Sequence, residues 1–251
     1  GENFQGLNKT YNEYCNENNI ISEFVRFNLF NNYREHYDGK VEACMRNIVR
    51  TLDLSIDDLY MDFEHKVRKN IKKSNRNNLQ IIIDNSSERI DDFLKIYYKT
   101  MDRNSANNSF YFTKQFFDTI NTMDNNFMYI FVLLEDMVIS TELVLYGKEN
   151  CYSFLGGTDD NYFDLRPNEL LKYEIIKWAK DRGISNFVLG GGYGADDGIY
   201  KYKKSFAPNG VLDFYIGKKI FNSSIYKELV DIRADEEEFR KESNFFPLYK
   251  S

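Results

Sequence analysis

Residues 185–217, SNFVLGGGYGADDGIYKYKKSFAPNGVLDFYIG, constrain this chain more than any other stretch. They open with Phe187-Val188-Leu189, an apolar run that reads as a short buried strand. Gly190, Gly191 and Gly192 follow at once, then Gly194 and Gly198. Glycine tolerates positive φ and lets another group approach the backbone closely. A strand ending in such a run leaves room at its carboxyl end, where ligands sit in α/β sheets. A cationic, aromatic segment comes next, carrying Tyr200, Lys201, Tyr202, Lys203, Lys204 and Phe206. Alternation then returns over residues 211–217, with Leu212, Phe214 and Ile216 on one face of a second strand. Strand, glycine shelf, cations and strand together make a place to hold an anionic group.

The rest of the composition narrows the setting. A chain of 251 residues suits one large domain or two small ones, and 42% hydrophobic with 16% aromatic residues can build a proper core. Mean hydropathy is -0.57, and no apolar run approaches the roughly 18 residues of a membrane span. No secretory signal is visible, so the expected location is the cytoplasm or the periphery of the inner membrane face. The opening GENFQG reads equally as a cloning scar or an internal cut. Cys15, Cys44 and Cys151 are odd in number and unevenly spaced, which fits reduced thiols better than a disulfide framework. His36 and His65 are too few for a His-rich metal site, and none is expected. A net charge of -6 argues against a general nucleic-acid coat and leaves only a local basic patch.

Taken in order, residues 7–18 read as a helix, 20–29 as a strand, 31–40 as a loop and 46–54 as a strand, a thin core for an independent domain. Residues 55–73 read as one amphipathic helix with Ser55 as N-cap and Asp57 and Asp58 in its first turn. The pairs Asp62–Lys66 and Glu64–Arg68 have favourable i,i+4 order. Six of the twelve residues 65–76 are Lys or Arg, either a solvated helix end or a phosphate-binding face. From Gln80 the expected order is β, α, α, β, β, β, α, β, α, β. Within it, residues 127–155 form an antiparallel meander, and Gly156-Gly157-Thr158-Asp159-Asp160 breaks the sheet. The next helix starts at Pro167 and stops at Gly183. Residues after 222 read as a charged helical tail that includes Asp235, Glu236, Glu237 and Glu238.

The segment CYSFLGGTDDNYFDLRPNELLKYEIIKWAKDRGISNFVLGGG, followed by YKYKKSFAPNG, resembles the FemAB-like (BioF2-like) branch of the GNAT acyltransferases. IISEFVRF and LDLS…KVRKNIKKS resemble the end of that family's first lobe and its linking helix. The resemblance implies an α+β, GNAT-like fold: a central mixed, mainly antiparallel sheet flanked by helices, preceded by an incomplete GNAT-like lobe. It implies four segments: a first-lobe remnant (1–54), a basic linking helix (55–78), the acyltransferase domain (79–222) and a helical tail (223–251).

The resemblance also implies transfer of an acyl or aminoacyl group onto an amine of a cell-envelope or glycan precursor, either nucleotide-linked or lipid-linked. The donor would be acyl-CoA or aminoacyl-tRNA, with no tightly bound cofactor. That chemistry needs a neutral amine, aligned reactants and a stabilised oxyanion. Lys203 is the expected oxyanion or leaving-group stabiliser, and Tyr202 shapes the pocket. Gly190, Gly191 and Gly192 form a ligand shelf, and Arg68 meets a phosphate. Asp160, Glu142 and Asp213 are candidate general bases, with Asp160 the expected catalytic one. Where CoA-dependent relatives have a glycine-rich pyrophosphate loop, this chain has Asp164-Leu165-Arg166-Pro167-Asn168-Glu169, in which Arg166 and Asn168 are the expected substrate contacts. Pro167 removes an amide there, which leaves room for an aminoacyl-tRNA donor. The same departure supports a second reading, a catalytically degenerate binding module.

Overall fold

The computed structural model of the chain describes residues 3–194, 197–236 and 244–251. The chain divides into two compact units, Asn47–Val211 and a second built from Gly1–Arg46 with Leu212–Ser251. The expected boundary at residue 54 is not reproduced. A single strand, β2 (Lys40–Thr51), runs from one unit into the other, and residues 55–78 fall in the larger unit.

The smaller unit contains helix α1 (Phe4–Glu17), strand β1 (Ser22–Arg26), the start of β2, most of strand β8 (Val211–Ile220) and helix α8 (Ser223–Ala234). β1 pairs antiparallel with β8, from Ser22 opposite Ile220 to Arg26 opposite Ile216. The strand expected after the lysines is therefore a partner of the N-terminal strand. The tail is not mere decoration, because its helix belongs to this unit. Glu237 and Glu238 lie outside the described residues.

The larger unit holds α2 (Ile56–Asp62), α3 (His65–Asn75), β3 (Gln80–Asp84), α4 (Ile90–Arg103), α5 (Lys114–Asn121), β4 (Phe127–Leu134), β5 (Met137–Tyr146), β6 (Asn150–Thr158), α6 (Pro167–Asp181), β7 (Asn186–Gly190) and α7 (Gly198–Lys204). Its strands follow the order β2-β7-β6-β5-β4-β3. Of these neighbouring pairs only β6 and β7 run parallel. β4 is buried on both faces. Met128, Ile130 and Val132 join a core formed with α2, α3, α6 and α7, and Phe127, Tyr129, Phe131 and Leu133 join a second core with α4 and α5. This period-two division of apolar side chains makes the sheet the middle of three layers.

Two expectations change for reasons of local packing. The helix expected over residues 55–73 is two helices, because Phe63 and Glu64 are extended (ψ 150° and 147°). Phe63 is buried in the core, and the Glu64 amide donates to Ser205 O at 2.9 Å. The i,i+4 pairs are lost across this break; Asp62 instead pairs with the buried Arg50. Second, Gly156 and Gly157 do not break the sheet, since β6 continues through them to Thr158. A Cβ at Gly156 would lie 2.5 Å from Thr141 O, and one at Gly157 would lie 3.0 Å from Ile96 O and closer still to Thr100. The glycines let β5 and α4 press against β6.

Candidate active site

The parallel pairing of β6 with β7 stops at Tyr152 opposite Val188. Beyond it, β6 stays with β5, Ser153 opposite Val144 through Thr158 opposite Ser140, while β7 ends at Gly190. The two strands part, and a cavity of about 520 Å³ opens between residues 153–158 of β6, Gly191 and Gly192 beyond β7, and Lys203 of α7. Val144 faces Ser153 but Leu143 faces Leu155, so Phe154 is the extra residue of a β-bulge. The bulge interrupts the alternation of side chains, and Ser153, Phe154 and Leu155 all line the cavity.

Helix α7 presents Lys203. Asp197 caps it, accepting from the Tyr200 amide at 2.7 Å and from the Tyr193 and Gly194 amides at 2.6 and 3.1 Å. Those backbone donors hold its carboxyl below the usual range. One carboxylate thus caps the helix and pins the glycine run, and a Cβ at Gly192 would lie 2.7 Å from its Cγ. Lys203 turns inward and donates to Gly191 O at 2.7 Å. A Cβ at Gly190, where φ is +83°, would stand 3.3 Å from its ammonium. Burial first, and then the charge of Lys172, pull Lys203 from 10.5 down to about 8.

Lys172, from α6, forms a buried ion pair with Glu142 of β5 and donates to Ser153 Oγ at 2.7 Å. Both side chains are 6% exposed, and both line the cavity. The Lys172 ammonium also lies 5.9 Å from the Phe187 ring centre. Tyr202 is half-buried with its hydroxyl enclosed, and desolvation followed by the charges of Glu169 and Glu142 pushes that hydroxyl well above the ordinary tyrosine value.

A second cavity, about 440 Å³, lies at the start of α6 between α3 and α7. Thr158, Phe163, Asn168 and Tyr202 line both cavities. Arg166 caps α6 in the left-handed region (φ 59°, ψ 42°) without a side-chain cap bond. Ser74 Oγ donates to the carbonyls of Leu165 and Arg166 at 3.0 and 2.6 Å. Glu169 is buried in the first turn and accepts from Asn70 at 2.7 Å. A third, open cavity of about 560 Å³ is lined by His65, Arg68, Lys69, Asn70, Lys72, Lys73 and Arg76 of α3.

The fork brings together Lys203, Tyr202, Gly191, Gly192, Asn168 and Glu142. Arg166 lines the second cavity only. Gly190 lines neither; it serves the close approach of Lys203. Asp160 is outside both, half-exposed and 3.3 Å from Lys99, which also holds Asp159. Asp213 is exposed on β8 in the other unit. The Arg68 guanidinium donates to Met61 O at 2.7 Å and to Phe63 O, closing the end of α2, so those donors are already engaged. Sequence reading overlooked Lys172, Ser153 and Asp197. Lys172 did leave a signal: a lysine on the apolar stripe of Leu171, Ile175, Ile176 and Ala179.

Residues 62–204 match the acetyltransferase (GNAT) domain family. The chain belongs to the GNAT family. It is 28% identical over 175 residues to the UDP-N-acetylmuramoylpentapeptide-lysine N(6)-alanyltransferase of Weissella viridescens, covering 67% of this chain and 50% of that protein. The chain therefore spans about half the length of this curated relative. The fold matches a crystal structure of FemX, with TM-score 0.70 and 13% identity over 90% of this chain and 79% of that one. It also matches L-PGS from Bacillus licheniformis, with TM-score 0.59 and 11% identity over 89% and 75% of the two chains. The alanyltransferase likeness supports the FemAB-like branch that the motifs imply, and the two structures share its fold. No helix among the described residues is long and apolar enough to cross a membrane.

Proposed function

We propose that this GNAT chain transfers an aminoacyl group from aminoacyl-tRNA to the side-chain amine of a lysine in a nucleotide-linked cell-wall peptide. The observation that carries the reading is the inward Lys203 ammonium at the fork, where two cavities meet beside Tyr202. An ester carbonyl placed there has a cation at the point where negative charge develops. With its affinity for a proton lowered toward neutrality, Lys203 can also protonate the leaving ribose oxygen. The Weissella relative's name supports the choice of acceptor.

The donor enters through the 440 Å³ cavity. Its mouth carries the buried carboxylate of Glu169 and, at Pro167, no amide, which suits a pyrophosphate poorly. It adjoins the basic trough of α3 through Asn70. Lys66, Lys69, Lys72, Lys73 and Arg76 form no ion pair among the described residues and are exposed, as a face for an RNA backbone requires. The reading is tested by supplying charged tRNA or acetyl-CoA with the lysine peptide. Aminoacylated peptide from tRNA alone supports it, and acetylated peptide from CoA would replace the donor assignment.

The altered α6 start also favours a second reading, a binding module without turnover. Calorimetry separates the two, since such a module shows no saturable binding of either donor.

A further inference from the structure

The fork contains a polar atom that the reading above leaves without a task. Glu142 gives one carboxylate oxygen to Lys172, while the other, Oε1, is fully buried and accepts no hydrogen bond from any described residue. A buried charged oxygen without a donor is costly. The local backbone is arranged around this group: Gly156 lies directly opposite Glu142 in the ladder, where a Cβ would come 3.1 Å from the Glu142 Cα. The adjacent bulge brings Ser153 to Lys172, fixing the cation that holds Glu142. The cavity rim is aromatic and exposed, with Phe110, Phe154 and Tyr193, and its charged floor is Glu142 and Lys172. Such a shape admits a slender alkyl chain that ends in a donor.

We infer that Glu142 Oε1 is the docking point for the primary ammonium of the acceptor and takes its first proton. This rests on the proposed transfer to a lysine amine. The ammonium N–H is given to Oε1, leaving a neutral amine and a carboxylic acid. The nitrogen lone pair then forms the C–N bond with the ester carbonyl, and the C–O bond to the ribose breaks. The ribose oxygen takes a proton from Lys203, which regains one from the new amide nitrogen. Glu142 returns its proton to solvent, so one proton is released per transfer. Lys172 is a positioning residue that fixes the carboxylate through its other oxygen.

The test compares calorimetric binding of two UDP-linked muramoyl pentapeptides, one with lysine and one with norleucine in its place. The wild-type chain should prefer lysine by about tenfold or more, the scale of one buried charge-assisted hydrogen bond. Glu142→Gln should bind both peptides alike. If that variant unfolds because Lys172 is left without its counter-charge, the E142Q/K172M variant, which removes both charges, carries the same comparison. A folded variant that retains the lysine preference overturns the inference and leaves the transfer reading standing. A wild-type chain that binds neither peptide overturns both.

Discussion

Replacing Lys203 with methionine should slow turnover sharply and, at neutral pH, stabilise the fold. The native chain holds this lysine at about 8 against 10.5, mainly through burial and secondarily through Lys172. Between those two pH values the unfolded chain keeps a proton that the native chain gives up, so stability rises with pH across that window. Below pH 8 the native chain carries the whole penalty, about 3 kcal/mol from a drop of about 2.5 units. Methionine keeps most of the stem volume and removes the charge. It also removes the bond to Gly191 O, worth about 1 kcal/mol, leaving a net gain of about 2 kcal/mol. For a chain of this size that raises Tm by about 4–8 °C at pH 7. The assay is thermal unfolding of both proteins from pH 6 to 10.5, with turnover measured in parallel. The Tm difference should shrink as pH rises through the window, while turnover falls by about 10²–10³ at pH 7. A variant less stable than wild type at pH 7, with a pH-independent difference, would refute the idea that the fold holds this ammonium against burial.

Other substitutions probe the frame around the site. Gly157→Ala drives a Cβ into Thr100 and against Ile96 O, and should cost about 1–3 kcal/mol in denaturant unfolding. Arg68→Ala should cost about 1–2 kcal/mol by freeing the Met61 and Phe63 carbonyls, while K69A/K72A should leave stability unchanged. Conversely, K69A/K72A should lower the slope of log affinity for charged tRNA against log salt by about 2, and R68A should barely move it. Asp197→Ala should lower the unfolding temperature through the lost cap and weaken turnover by releasing residues 192–194.

Much of the fold was legible in the sequence because its signals are local. The apolar runs of β4, β5 and β7, the Pro167 start and Gly183 stop of α6, and the order of elements from Gln80 onward all follow from periodicity and backbone chemistry. So does the strand that ends in Gly190, with Lys203 a short helix away. What the chain could not announce is what depends on long-range partners. The helix break at Phe63 arises because that ring is needed in the core and the next amide finds Ser205 O. Gly156 and Gly157 look like a turn because glycine permits one, yet here they answer the close approach of Thr141 and Thr100 from other elements. Arg68 reads as a phosphate ligand until two carbonyls at the end of α2 claim it. Asp160 reads as a base until Lys99, sixty-one positions earlier, holds it at the surface. Local sequence determines which strands and helices can form, because capping, periodicity and φ preferences act over a few residues. Only the tertiary structure decides which charges are buried together at the fork, because desolvation and pairing depend on neighbours that the chain brings from thirty or more positions away, as with Glu142 and Lys172.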